Sequence, residues 1–192
     1  EQAHKKLLNM QEEKKYGIES FTSRQTVGDL MTEWLESRKN SLRSNTFSRY
    51  EELIRLHVLP EIASIKISKL QPRHLEGLYN TKLDSGLSAT TVGHIHARIH
   101  TALEQAMKRG LIIRNVASLV SPPKKQPREM KTLSHSESRK FLEAAKNEKL
   151  ESLFTLALTS GLRRGELLAL SWNNIDLDSN TLKVSSTLLQ DG

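Results

Sequence analysis

The sequence predicts a mainly α-helical protein, in which an N-terminal helical bundle precedes the beginning of an α+β domain. Apolar residues recur at helical spacing in four segments between residues 26 and 110. A proline-rich stretch over residues 121–128 then interrupts this pattern. The one segment with strand-like composition, residues 181–188, comes only near the end of the chain.

Polar residues that precede an apolar stripe mark the first two helices of the bundle. Thr26 is predicted to cap the first helix, whose inward residues follow the i, i+3, i+4, i+7, i+8 spacing. These residues are Val27, Leu30, Met31, Trp34 and Leu35. Ser44 or Asn45 is predicted to cap the second helix, and Pro60 is expected at or just after its end. Its inward residues are Phe47, Tyr50, Leu53 and Ile54.

The third and fourth helices carry both start and stop signals. Pro72 is suited to the first turn of the third helix, and Gly86 closes it. Ser88 is predicted to cap a long fourth helix that ends at Gly110. Its apolar stripe comprises Val92, Ile95, Ile99, Leu103, Ala106 and Met107. Asn115 is expected to cap one further short turn.

Four parts of the chain follow from this pattern. Residues 1–23 are expected to form the end of a helix and a polar connector, and residues 24–120 the helical bundle. The three prolines and three basic residues of 121–128 predict a stiff basic linker over 121–132. Residues 133–192 are expected to begin a second domain.

The second domain opens with a capping box, Ser134-His135-Ser136-Glu137, before an amphipathic helix. A further apolar run over residues 153–158 is stopped by Gly161, and a helical pattern resumes after Arg163. Residues 181–188 are predicted to be a strand without a visible partner. Because a lone strand is not stable by itself, we expect this domain to be incomplete.

Composition excludes several classes of function. The chain has no cysteine, and its seven histidines show no metal-ligand spacing, so we predict neither a disulfide framework nor a metal site. No apolar run approaches the length of a membrane span, and no signal-peptide pattern opens the sequence. We therefore expect a cytoplasmic protein without a membrane partner.

The positive charge is concentrated in the bundle and linker. The net charge is +7, and residues 24–130 hold 17 Lys and Arg against 10 Asp and Glu, whereas the two flanking segments are neutral. A localised basic excess is typical of a protein that binds a polyanion. A mild excess of this kind also occurs in soluble domains that bind no nucleic acid.

Arg163 is the candidate for chemistry. It lies at a helix-to-helix corner, and a guanidinium placed there presents a planar fork of donors that fits two phosphate oxygens. Glu166, three residues further on, is placed to hold that arginine or to offset its charge. Spacing alone also fits an ordinary solvated ion pair.

The whole string decides between these readings. Residues 159–176 read Thr-Ser-Gly-Leu-Arg-Arg-Gly-Glu-Leu-Leu-Ala-Leu-Ser-Trp-Asn-Asn-Ile-Asp. This string resembles the first active-site box of the tyrosine recombinases, the phage and transposon integrase family, with Ser160 as a small departure. The order of bundle, basic linker, capped helix and arginine box is also similar to that family.

The resemblance implies a SAM-like core-binding domain followed by the truncated N-terminal part of a recombinase catalytic domain, which together clamp DNA. It also implies that residues 1–23 end a small arm-binding domain. Double-stranded DNA is then the expected partner, with self-association of the full-length protein on DNA. The expected location is the nucleoid of a bacterial cell or of a phage-infected host.

In the family, a tyrosine hydroxyl attacks a DNA phosphate, which forms a 3′-phosphotyrosine bond and frees a 5′-hydroxyl, without a metal or other cofactor. The resemblance maps the first catalytic arginine onto Arg163 and a supporting acid onto Glu166. Lys183 comes too early in the chain to match the family lysine and stays unassigned, and no tyrosine of this chain matches the nucleophile. We therefore expect this chain to bind DNA but not to cleave it.

The expected DNA contacts lie on two helices, in the linker and beside the arginine corner. On the second helix they are Arg43, Asn45, Thr46 and Arg49, and on the fourth Thr91, His94 and Arg98. In the linker they are Lys124, Lys125 and Arg128, and beside the corner Arg164. An ordinary solvated polar face is the alternative for each helix.

Two other functions fit the same sequence. One is a non-enzymatic helical DNA-binding regulator, in which the arginine corner is structural. The other is a helical protein–protein adaptor, whose basic face is incidental and which shows no salt-dependent affinity for DNA.

Overall fold

The computed structural model describes residues 25–124 and 129–188. The chain divides into two compact units, Glu1–Pro127 and Arg128–Gly192. The helix and connector expected over residues 1–23 lie outside the described residues. The described part is mainly α-helical, as the sequence predicts.

Five helices build the described part of the first unit. They are α1 (Val27–Arg38), α2 (Ser44–Leu53), α3 (Leu59–Ile62), α4 (Pro72–Asp84) and α5 (Ala89–Lys108). Single 3₁₀ turns at Ile67–Lys69 and Val116–Leu119 connect or follow them.

The predicted starts of α1 and α5 are confirmed by their caps. Thr26 Oγ1 accepts a hydrogen bond from the Asp29 amide at 3.1 Å, and Asp29 returns one by accepting from the Thr26 amide at 2.9 Å. This capping box satisfies two amides that a helix start would otherwise leave unpaired. Ser88 Oγ accepts from the Thr91 amide in the same way.

The second helix departs from the prediction at both ends. Its cap residue is Arg43, which makes no side-chain cap hydrogen bond, so neither Ser44 nor Asn45 is the cap. Pro60 does not end the helical path, because α2 passes through a π-helical turn, Ile54–Val58, into α3. Proline has no N–H to donate, and the wider turn places Pro60 in the first turn of α3, where none is needed.

The core of the first unit is formed mainly by the predicted apolar stripes. All five inward residues of α1 are buried, and so are Ile54, Val58 and Leu75. The second helix contributes less than predicted, because Phe47, Tyr50 and Leu53 are only half-buried against the core. Helix α5 has a buried stripe that comprises Val92, Ile95, Ile99, Ala102, Leu103 and Ala106, whereas the predicted member Met107 is half-buried. Burial of aliphatic side chains at this density supplies most of the stability of such a unit.

Asn115 is buried, and its hydrogen bonds connect the 3₁₀ turn at Val116–Leu119 to α5. Its Oδ1 accepts from the Ala117 amide at 3.0 Å, which confirms the predicted cap. Its Nδ2 donates to the His100 carbonyl oxygen at 3.0 Å and to Glu104 at 3.1 Å. The side chain is therefore fully used, as a buried amide must be to avoid a desolvation penalty.

The described part of the second unit contains three helices and a small hairpin. They are α6 (His135–Ala144), α7 (Glu151–Ser160) and α8 (Arg164–Leu168), followed by a 3₁₀ turn at Trp172–Asn174, β1 (Ile175–Asp176) and β2 (Thr181–Leu182). The predicted capping box of Ser134 and Glu137 opens α6. Phe141 and Phe154 pack edge to face with ring centroids 5.4 Å apart, which joins α6 to α7.

The prediction of a lone strand over residues 181–188 is wrong in two respects. The strand comprises only Thr181–Leu182, and it has an antiparallel partner in β1, with Ile175 opposite Leu182. The turn between them is stabilised by Asp176, whose Oδ1 accepts from the amides of Asp178 and Ser179. The two strands are so short that their apolar alternation does not show in the sequence.

Substitution of Ile99 by alanine tests the central position of α5. Ile99 has no exposed surface, so Ile99→Ala should lower the free energy of unfolding by about 3 kcal/mol through lost burial and a residual cavity. Urea unfolding followed by Trp34 fluorescence in a Trp172→Phe background measures this. Ile113→Ala is the matched control, because Ile113 is 58% exposed and the change should cost less than about 0.5 kcal/mol. Equal losses for both variants would contradict the assignment of the core.

Candidate nucleic-acid interface and arginine corner

Backbone geometry places Arg163 at a sharp corner between α7 and α8. Gly161 ends α7 in the left-handed conformation with φ 67°, and its amide donates to the Ala157 carbonyl oxygen. A side chain at this φ would be strained, which explains the glycine. Arg163 then takes an extended conformation as the cap residue of α8. The corner predicted from the sequence is thus present.

The carboxylate of Glu166 holds Arg163 by two separate hydrogen bonds. Its Oε2 accepts from the backbone amide of Arg163 at 2.9 Å, and its Oε1 accepts from the guanidinium Nη1 at 3.0 Å. The Arg163 side chain is 87% exposed, whereas that of Glu166 is 19% exposed. The arginine is therefore anchored at one side while most of its donors face outward.

These contacts favour the charged form of Glu166. The hydrogen bond from the Arg163 amide, and then that from its side chain, lower the pKa of the Glu166 carboxyl from its ordinary value. The carboxylate is consequently ionised across the physiological range, where it both orients the guanidinium and completes the N-terminal turn of α8.

Gly165 lets the chain beyond the hairpin return to the arginine corner. The amide of Leu188 donates to the Gly165 carbonyl oxygen at 2.8 Å. A Cβ atom at position 165 would lie 2.5 Å from Thr187 Oγ1 and 2.7 Å from the Leu188 carbonyl oxygen. No side chain fits at position 165 without displacing residues 187 and 188. Glycine is therefore what allows residues 187 and 188 to pack against the start of α8.

In the first unit, α2 and α5 together form a cleft. Four of its lining residues, Thr46, Arg49, His94 and Arg98, are predicted DNA contacts, and the other two are Tyr50 and Leu53. The sequence places these four residues on separate helices, and the fold brings them to one surface. Among the described residues, no acidic side chain lines the cleft.

Arg98 makes a contact that sequence reasoning missed. Its guanidinium carbon lies 4.2 Å from the centroid of the Tyr50 ring. Tyr50 in turn stacks on Trp34, with centroids 6.1 Å apart and an angle of 13° between the rings. The sequence predicts Tyr50 as a core residue, and it does pack partly against the core. The position of Tyr50 at the boundary between the apolar stripe and the basic face of its helix is the sequence feature that could have indicated this contact.

The remaining predicted contacts differ in their exposure. Arg43 is exposed at the start of α2, Lys124 is exposed, and Arg164 is exposed in the first turn of α8. Asn45 and Thr91 are half-buried, and Thr91 Oγ1 lies 2.9 Å from Ser88 Oγ at the start of α5. Neither Asn45 nor Thr91 lines the cleft. Lys125 and Arg128 lie outside the described residues.

Residues 25–124 and 129–188 contain no group of three or more His, Cys, Asp or Glu side chains placed to hold a metal ion. In the same residues, no helix combines the length and apolar character needed to cross a bilayer.

A basic helical unit, followed by an arginine held at a helix corner ahead of a hairpin, is the architecture of the tyrosine recombinase class. Residues 26–83 match the phage integrase N-terminal SAM-like domain, and residues 131–190 match the phage integrase family. The chain therefore belongs to the phage integrase family of tyrosine recombinases.

Individual relatives agree with this assignment. A tyrosine recombinase XerC-like protein of Caldanaerobacter subterraneus subsp. tengcongensis is 32% identical over 173 residues, which cover 86% of this chain and 44% of the relative. The chain thus spans less than half the length of that relative.

Solved structures show the same fold. The Tn1549 transposon integrase in complex with circular intermediate DNA superposes with a TM-score of 0.76 at 21% identity, over 87% of this chain and 56% of the other. A lambda integrase dimer bound to a COC′ core site superposes with a TM-score of 0.70 at 19% identity, over 79% of this chain and 56% of the other.

The hold of Glu166 on Arg163 can be tested by titration. Because the folded pKa is lowered, the hydrogen bonds should be complete above the ordinary glutamate pKa and be lost only as the pH falls through the lower folded value. Carbon-detected NMR of the Glu166 carboxyl and the proton shift of the Arg163 amide should therefore titrate together, below a glutamate in an unstructured peptide.

Arg163→Ala is the informative variant for that titration. It removes the guanidinium but keeps the backbone amide, whose hydrogen bond is the largest single cause of the shift, so the Glu166 pKa should rise but stay below its ordinary value. A Glu166 midpoint equal to that of the peptide, in either protein, would contradict the described geometry.

Proposed function

We propose that this chain is the DNA-binding core and the opening part of the catalytic domain of a site-specific tyrosine recombinase. The complete protein would cut and rejoin DNA strands through a 3′-phosphotyrosine intermediate, in DNA integration and recombination. The observation that carries this proposal is the Arg163 guanidinium, held by the Glu166 carboxylate and yet largely exposed. An arginine oriented before its ligand arrives is the arrangement that stabilises charge developing on a phosphate.

In this mechanism, each residue of the corner has a separate role. Arg163 would donate to the non-bridging oxygens of the scissile phosphate, where negative charge grows in the transition state. Glu166 would orient Arg163 by accepting a hydrogen bond from its Nη1. The other N–H groups of the guanidinium would then be available to the phosphate. Arg164, the next residue around α8, would contact a neighbouring phosphate. No cofactor enters this proposal, because the covalent intermediate conserves the bond energy.

The tyrosines of the described residues are poorly suited to be the nucleophile. Tyr79 is buried, its hydroxyl lies 3.0 Å from His96 Nδ1, and burial raises its pKa above the ordinary value. The ring of Tyr50 is covered by Arg98 and Trp34. Tyr16 lies outside the described residues, and its place in the sequence does not match the family nucleophile. We therefore expect the nucleophile elsewhere in the complete protein, and this chain alone should bind DNA without cleaving it.

The cleft between α2 and α5 is the proposed centre of DNA binding. Arg49 and Arg98 take part in none of the ion pairs found within the described residues, so their charge is not offset by a carboxylate. Thr46 and His94 are the other proposed contacts within the cleft. Further proposed DNA contacts are Arg43, Asn45, Thr91, Lys124, Lys125 and Arg128, of which Lys125 and Arg128 are proposed from the sequence alone.

The wider assignments follow from the same proposal. We assign residues 24–120 to the core-binding domain, 121–132 to the linker and 133–192 to the beginning of the catalytic domain, with residues 1–23 ending an arm-binding domain. The complete protein would associate with itself on DNA, an inference supported by the lambda integrase dimer. It would act on the nucleoid in the cytoplasm.

The salt dependence of DNA binding tests the electrostatic part. The affinity of this chain for duplex DNA should fall steeply with salt, with a slope of roughly −0.9 per phosphate neutralised. Arg49→Ala and Arg98→Ala should each weaken binding and make the slope shallower by about one, while the melting temperature stays almost unchanged. Fluorescence anisotropy at several salt concentrations measures both quantities.

Arg73→Ala is the matched control for those variants, because Arg73 is exposed on α4 and does not line the cleft. It should change the affinity and the slope least. A flat salt response, or equal binding by residues 131–192 alone, would contradict the proposed interface.

Arg163 is tested in the complete protein. Arg163→Ala should lower strand cleavage by at least about 100-fold, the range seen when one preorganised donor is lost from an oxyanion site, while DNA affinity changes little. Arg163→Lys should restore little, because an ammonium lacks the two-pronged geometry. Covalent capture on a nicked crossover-site substrate measures cleavage.

Arg164→Ala is the control, since it removes the adjacent charge without removing the held guanidinium. It should capture DNA far better than Arg163→Ala. Full capture by Arg163→Ala would remove Arg163 from the active site and favour a regulator in which the corner is structural.

A further inference from the structure

Two stacked aromatic rings lie beneath Arg98, and the first of them, Tyr50, lines the cleft. The Arg98 guanidinium lies over the Tyr50 ring, and Tyr50 stacks nearly parallel on Trp34. Trp34 is 3% exposed and belongs to the core, so it fixes the ring above it. We call Trp34 and Tyr50 the aromatic platform.

A platform of this kind fixes an arginine without neutralising it. The negative face of an aromatic ring attracts a guanidinium, but it brings no full charge and no acceptor oxygen. A carboxylate partner would hold the arginine equally well and would repel an incoming phosphate. Because Arg98 rests on a ring, its positive charge remains available to an anion in the cleft.

Fixing the side chain in advance also improves binding. Arginine loses considerable rotamer freedom when it is held, and a contact made before the ligand arrives removes that loss from the binding step. Arg49, the other arginine that lines the cleft, is exposed, whereas Arg98 is half-buried. The position of Arg98 accordingly depends on the ring beside it.

We propose that Tyr50 is a positioning residue, which holds the Arg98 guanidinium in the cleft for a phosphate of duplex DNA. This inference rests on the proposed function. It adds a role for a residue whose sequence pattern predicts only core packing, and it specifies that Tyr50 acts through Arg98 rather than by touching DNA.

A double-mutant cycle tests whether Tyr50 acts through Arg98. Tyr50→Leu and Arg98→Ala should each weaken binding of duplex DNA about 10-fold, as expected for one well-placed phosphate contact. The double variant should lose about 10-fold as well, and not about 100-fold, because removal of the arginine leaves the ring nothing to position. Tyr50→Phe is the matched control, since it keeps the ring and should bind within about twofold of wild type.

A second measurement observes the contact without DNA. A proton that lies over an aromatic ring is shifted upfield, so the Arg98 Nε proton should resonate upfield in the wild type and in Tyr50→Phe. The shift should disappear in Tyr50→Leu. Melting temperatures of all variants separate positioning from folding. If Tyr50→Leu melts lower, Tyr50→Met replaces it in the cycle, because methionine fills a similar space without a ring.

Three results would overturn the inference. They are additive losses in the double variant, a Tyr50→Phe variant as weak as Tyr50→Leu, and an unshifted Arg98 proton in the wild type. A wild-type chain that does not bind DNA would overturn the proposed function together with this inference. Binding by the wild type with additive losses would overturn the inference alone.

Discussion

The complete burial of one stripe of α5 is the constraint on which the first unit depends. The stripe takes the inner side of the helix, and this fixes by periodicity which residues are left to face α2 and the cleft. His94 and Arg98 are one turn apart on that remaining side, beside the fully buried Ile95 and Ile99. Burial of the apolar stripe therefore fixes where His94 and Arg98 lie, although neither residue belongs to the stripe.

Arg163 and Arg98 are held by different kinds of contact. Arg163 is anchored by a carboxylate, which fixes its direction at the cost of offsetting part of its charge. Arg98 is anchored by a ring, which leaves its charge whole. The carboxylate restricts the direction of its guanidinium through a hydrogen bond, whereas the ring restricts the position of its guanidinium and brings no full charge.

Local sequence signals predicted most of the fold. The predictions that failed concern contacts between distant segments or segments with a weak pattern. Thr26 and Ser88 predict the starts of their helices because a helix cap is a short-range interaction. The prediction that the second helix ends near Pro60 is wrong, because the π-helical turn that accommodates the proline has no sequence signature. The strand partner Ile175–Asp176 was missed because two residues show no period. The polar face of the cleft was predictable, whereas the ring of Tyr50 beneath Arg98 requires the packing of α1 against α2.

The π-helical turn at Ile54–Val58 also bears on how this region tolerates changes in chain length. In that turn the Leu59 amide bonds to the Ile54 carbonyl oxygen, five residues back instead of four. Such a turn is equivalent to an α-helix that carries one inserted residue. Deletion of one residue from it would restore the ordinary spacing before Pro60, but it would also rotate Ile62 and all that follows by about 100° out of the core. Insertions and deletions between α2 and α3 should therefore be rare among functional variants, whereas substitutions at the exposed Leu56 should be accepted freely.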